Sequence, residues 1–220
     1  MSESKRQSAD RPEYFSRFKS CGKNVAIAPD VYVESPQQLA VGDEVTFNRG
    51  FYMMGRADHC SIGSRVTFYP NCFIQGSPGR FLVEEHVDFL PNTYISLGDG
   101  PHCFVEIGHH SHFAPGCVLY GWGGLRIGPY CNIAAHVVFA TVGHNDQITD
   151  RPMALSGRKE GPITLEEDVW IGANVTITAP VRIARGCVIG ANAVVTCDTQ
   201  PMGVYVGVPA RRLRDRGPRP

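Results

Sequence analysis

The sequence predicts an all-β fold in which short strands wind into a stack of coils. Two observations carry this. From Leu165 an aliphatic residue recurs every six positions, with a small or β-branched residue four places after each. A weaker form of the same register runs through most of the chain upstream.

The clear repeat reads LEEDVW, IGANVT, ITAPVR, IARGCV, IGANAV, VTCDTQ. Its first positions are Leu165, Ile171, Ile177, Ile183, Ile189 and Val195, and its fifth are Val169, Val175, Val181, Cys187, Ala193 and Thr199. Turn formers such as Gly172, Asn174, Pro180, Gly186, Gly190 and Asn192 lie between them. A helix needs apolar residues at three- and four-residue steps. A half-buried strand alternates every two. A strict six fits neither, but it fits short strands separated by regular turns. First and fifth positions share parity, so both point inward from one side of a coil.

Upstream, the triplets Val41, Phe47, Met53; Ile62, Phe68, Ile74; Val83, Phe89, Ile95; Ile107, Phe113, Leu119; and Ile127, Ile133, Phe139 each read as one coil. A small insertion separates each from the next, and Ile27 and Val33 start the stack. Cys72, Cys117, Cys131 and Cys187 fall at the inward small position, where a thiol is a compact core filler. No Cys-x-x-Cys pair occurs among the eight cysteines, and free buried thiols are expected.

Composition narrows the function. Lys plus Arg and Asp plus Glu are both 21, a balance that disfavours a nucleic-acid grip built on phosphate neutralisation. No run of eighteen apolar residues occurs, so no membrane-spanning helix is expected. The polar start MSESKRQSADRPEYF has no apolar signal region, and a cytoplasmic location is expected. Three parts follow: residues 1–24, a polar tail or capping segment; 25–210, the repeat domain; and 211–220, a basic tail frayed at its end. RPEYFSRFK is expected to form a short helix that buries Tyr14, Phe15 and Phe18 against the first coil.

The repeat resembles the hexapeptide-repeat family, from about residue 25 to about residue 210. That resemblance implies a left-handed parallel β-helix, three hexapeptides to a coil, here about seven coils. The hand is implied by the family, since parallel crossovers are normally right-handed. The register stops after Phe139 and resumes at Leu165, leaving one long polar loop at about 141–163. A loop of that length inside a compact stack is uncommon and often functional.

His144 stands where the chain leaves the coil. An imidazole near its ordinary pKa can take the proton of a hydroxyl as that hydroxyl attacks. The run IGPYCNIAAHVVFATVGHN, the loop, then GPITLEEDVWIGANVTI, IGANAVV and VGVPARRLR resemble the sugar and polysaccharide O-acetyltransferase branch, with its galactoside, maltose and nodulation-factor enzymes. The resemblance implies His144 as general base, acetyl-CoA as donor, no metal, and a homotrimer with active sites between subunits. Asn145 and Asp146 are the substrate-side candidates: one orients the imidazole, or both simply form the turn.

On the donor side the resemblance carries over Trp170, Gly172, Ala173, Gly190, Ala191, Arg211 and Arg214. Trp170 occupies the sixth place of its hexapeptide and should face outward, as an indole walling a ligand or interface does. The small residues admit close backbone approach, although a coil needs them to turn in any case. The two arginines suit phosphate, or belong to a solvated tail. Cys197 stands where many relatives carry Lys, and the N-terminal sugar-holding region of the galactoside and maltose enzymes is not matched.

The acceptor is expected to be a hydroxyl of a sugar or glycan. An amino sugar, or a small molecule such as an antibiotic, is the alternative. A γ-class carbonic anhydrase would need two histidines five residues apart, a spacing not found here. A serine acetyltransferase would need a histidine where RKEGPI stands. A non-catalytic β-helix trimer is expected to lack both the histidine loop and the WIGA segment.

Overall fold

The computed structural model describes residues 16–56, 59–76 and 78–217. Three sheets of eight, ten and eight strands form the walls of a three-sided prism. Each coil gives one strand to each wall. The first coil is Ser20–Cys21, Ala26–Ile27 and Tyr32–Val33; the eighth is Val181–Ile183, Val188–Ile189 and Val194–Val195. The result is a parallel β-helix of eight coils, consistent with the left-handed winding that the resemblance implies. The count is one more than expected because Cys21 pairs with Val41 and already opens a complete coil. At about 4.8 Å per strand the stack is roughly 34 Å long.

The six-residue register works as read. Every first- and fifth-position side chain from Leu165 to Thr199 is buried, and so is every member of the five upstream triplets. Inside the second wall Phe47, Phe68, Phe89 and Phe113 form a column, with ring centroids 5.4, 4.9 and 4.9 Å apart. Parallel in-register stacking puts like side chains one strand spacing apart, so flat rings stack from coil to coil. From Ile133 the column continues as isoleucine.

The inward cysteines are buried and free. Burial pushes the Cys131 thiol up to about 12, and those of Cys72 and Cys117 up to about 11. Each thiol donates to a backbone carbonyl, Cys131 to Glu166 at 3.2 Å and Cys117 to Ala114 at 3.1 Å.

Three expectations are revised at the edges. Residues 16–19 form turns rather than a helix, with Phe18 buried beside Phe47 at 6.5 Å; Tyr14 and Phe15 lie outside the described residues. The tail is not wholly loose: Arg211–Asp215 forms a strand antiparallel to Gly203–Val206, at the end of the second wall. The long loop is a hairpin arm, with Val142–His144 antiparallel to Arg158–Glu160 and a 3-10 turn at Met153–Leu155. Among the described residues no helix is long and apolar enough to cross a membrane.

Candidate active site

The hairpin leaves the prism at the corner where the third wall passes to the first. The exit is held by Thr141, whose buried hydroxyl donates to Tyr120 O at 2.8 Å and accepts from Gly123 N–H at 3.3 Å. Gly161 N–H closes the arm onto Thr141 O at 3.1 Å. A Cβ on Gly123 would overlap the Gly161 backbone, so only glycine lets the arm lie this close to the coil below.

His144 ends the outgoing strand, opposite Arg158, with its side chain exposed. Asn145 Oδ1 accepts Gln147 N–H at 3.2 Å, and its own N–H reaches Gly157 O at 3.3 Å. These two bonds help to build the turn. Asp146 is exposed beside it. Further along the arm Met153 and Leu155 are bare, at 53% and 70% exposure. Both lie in the 3-10 turn Met153–Leu155.

The donor-side candidates lie elsewhere. Trp170 sits outward on the second wall between Asn132 and Val188, at 56% exposure. Gly172 and Ala173, with Gly190 and Ala191 one coil later, turn the next corner. Arg211 and Arg214 lie on the final strand of the same wall; among the described residues neither pairs with a carboxylate. In a triangular prism the second wall faces away from the corner that bears His144. One chain therefore gathers the donor-side residues on one surface, holds His144, Asn145 and Asp146 on another, and does not bring the two sets together. Cys197 is exposed and follows the third-wall strand Val194–Val195, next to Asp198, whose Oδ1 accepts the first-wall Arg182 N–H at 2.7 Å; it therefore lies on the corner that bears the arm and not with the donor-side set.

Gly172 also has a plain structural duty. A Cβ there would sit 2.6 Å from Ala191 N and 2.9 Å from Ile189 O, both in the next coil.

A second cluster escaped the sequence reading. Arg158 Nη2 donates to both oxygens of Asp99 at 3.1 Å, while its guanidinium lies 4.2 Å from the Trp122 ring centroid. Glu160 contacts His102 Nε2 at 3.0 Å and Arg158 Nε at 3.4 Å. Trp122 donates its indole N–H to Ser96 Oγ at 3.0 Å. These residues come from three successive insertions at one corner. Their signal was the glycine-rich breaks in register at residues 97–103 and 121–124. Beneath the cluster a groove of about 340 Å³ runs down the same corner, lined by Glu34, Met54, Gln75, Ser96, Asp99 and Trp122. Among the described residues no three His, Cys, Asp or Glu side chains converge to hold a metal ion.

The stacked six-residue coils, interrupted once by a histidine-bearing arm, define a hexapeptide-repeat β-helix protein. Residues 162–197 match the bacterial transferase hexapeptide (six repeats) model. The chain's relatives include a probable macrolide acetyltransferase of Lysinibacillus sphaericus, 35% identical over 42% of this chain and 60% of that protein. The galactoside O-acetyltransferase of Escherichia coli (strain K12) is 38% identical over 41% of this chain and 44% of that one. The chain thus spans about half the length of these curated relatives. Among solved structures, a mutant of AntD, an N-acyltransferase from Bacillus cereus in complex with dTDP and coenzyme A, shares the fold. Its TM-score is 0.55 at 21% identity, covering 95% of this chain and 90% of that one.

Proposed function

We propose that the protein is an acetyl-CoA-dependent O-acetyltransferase that moves an acetyl group directly to a hydroxyl of a sugar or glycan. The observation that carries this reading is the exposed His144 on an arm that interrupts an otherwise regular hexapeptide coil. The named acetyltransferase relatives support it, as does the coenzyme A bound by AntD.

In the proposed step a ring nitrogen of His144 takes the acceptor hydroxyl proton while that oxygen attacks the thioester carbonyl carbon. The carbonyl π electrons move onto oxygen, and backbone N–H groups of a coil corner are suited to hold that charge. Collapse re-forms the carbonyl, breaks the carbon–sulfur bond, and the thiolate takes the proton from the imidazolium. No acyl-enzyme forms. Holding donor and acceptor in one cleft supplies much of the rate. Because one chain separates His144 from Trp170, the working unit is a homotrimer in which the arm of one subunit meets the second wall of its neighbour. The bare Met153 and Leu155 are suited to that contact. Arg211 and Arg214 are the donor-phosphate candidates, and the location proposed is cytoplasmic.

His144→Ala tests the chemistry. Loss of a general base lowers kcat by about 10² to 10⁴. Thiol release from acetyl-CoA, with mass spectrometry of products from an acceptor panel, reads that loss and names the acceptor. A folded variant with wild-type turnover would remove His144 from the mechanism. A second reading, an antibiotic hydroxyl as acceptor, is favoured by the macrolide enzyme among the relatives. The same panel distinguishes the two.

A further inference from the structure

The arm that carries His144 is thin. Three residue pairs join its strands, and all three residues of the return strand Arg158–Glu160 are exposed. An isolated two-stranded ribbon of this size is marginal in water. Yet general-base catalysis requires the imidazole within hydrogen-bond reach of the acceptor proton. Something beyond the ribbon must hold it.

We propose that Arg158 is a positioning residue. Clamped between Asp99 and Trp122, it fixes the return strand and, through the backbone pairing, the placement of His144. The inference rests on the reading of His144 as the base. Three features support it. Arg158 is the direct cross-strand partner of His144, so a shift of one moves the other. Its guanidinium is used at three points at once, Nη2 on the Asp99 carboxylate, Nε toward Glu160 Oε1 at 3.4 Å and its central carbon over the Trp122 ring, a planar arrangement that Lys cannot reproduce. Its anchors are themselves fixed: Trp122 is tied to Ser96, and Glu160, braced by His102, steadies the guanidinium from the other side.

The cluster is poorly placed to serve overall stability. The side chains of Arg158 and Asp99 are 44% and 55% exposed, and surface ion pairs add little to folding. A set of weak contacts gathered on one small arm can still decide where that arm rests, because the arm has few others.

The test uses the full-length chain as wild type, Arg158→Ala, Arg158→Lys and His144→Ala. Hydrogen exchange by mass spectrometry follows peptides covering residues 141–147 and 157–161, with Val181–Ile183 in the stack as internal reference. Arg158→Ala is expected to exchange at least tenfold faster in the arm, with the reference unchanged and the melting temperature within a degree or two. Arg158→Lys, which keeps charge but loses the fork and the plane, should recover less than half of that protection. Turnover is read as thiol release from acetyl-CoA with a hydroxyl acceptor from the panel. Misplacement by about 1 Å lowers rate by about 10²-fold, so kcat should fall ten- to a hundredfold while KM for acetyl-CoA stays within twofold. Unchanged exchange in the arm overturns the proposal, as does full rescue by lysine. If His144→Ala is fully active while arm exchange still responds to Arg158, the base assignment fails and the clamp stands.

Discussion

Gly172→Ala separates two reasons for a glycine at one corner. The added Cβ would meet Ala191 N at 2.6 Å, Ile189 O at 2.9 Å and Ala191 Cα at 3.0 Å. All three are backbone atoms of the following coil, which cannot swing aside as a side-chain tip can. Two coils would have to part by several tenths of an ångström, breaking the close stacking on both sides of the corner. Overpacking of this kind costs roughly 1–3 kcal/mol, and rigid backbone neighbours put this site near the top of that range. Alanine also restricts the unfolded chain, returning roughly 0.4–1 kcal/mol. A net loss of about 2 kcal/mol follows from these two terms. With a urea dependence of about 3 kcal/mol per molar, the unfolding midpoint should fall by roughly 0.7 M. The measurement is made by circular dichroism without acetyl-CoA, so ligand binding plays no part. An unchanged midpoint together with a large rise in KM for acetyl-CoA would refute the stacking argument and leave ligand approach as the reason for this glycine.

Two other outcomes follow from the packing and the charges. At pH 8 Cys60 and Cys131, pushed up to about 12 by burial, stay protonated, so a thiol reagent should label exposed Cys197 first and these two only on unfolding; mass spectrometry of labelled peptides reads the order. For Glu106, burial alone would raise the carboxyl, but hydrogen bonds from Arg126 and Arg80 outweigh it and hold it below the usual range. The unfolded chain then binds this proton more readily, so the group's stabilising effect is present above the ordinary carboxylate pKa and lost as pH falls through the lower native value. Glu106→Gln should therefore melt below wild type at pH 7, with the gap closing toward pH 3; a gap independent of pH would contradict the ion-pair account.

The coil was legible because its cause is periodic. A residue such as Ile171 or Phe89 faces the axis whatever its distant neighbours are, so the six-residue rhythm reports the prism directly. The coil count slipped by one at Cys21, a single inward residue among polar neighbours. The strands of the arm and of Arg211–Asp215 carried no such signal. They are solvent-exposed, so nothing forces alternation on Val142–His144 or on a run of four charged residues around Leu213. They are strands because a partner's backbone edge is free to pair with them.

The exit of His144 from the repeat, the outward place of Trp170 and the small residues at 172–173 and 190–191 could all be counted along the chain, since each depends on register alone. That His144 and Trp170 occupy opposed surfaces depends on folding three walls into a triangle. The clamp of Arg158 on Asp99, 59 residues apart, exists only because stacked coils lay successive corner insertions over one another. Inward rows are dictated by burial, which local sequence encodes. Outward clusters are made by whichever insertions the winding happens to superpose, and that alignment is a property of the assembled stack.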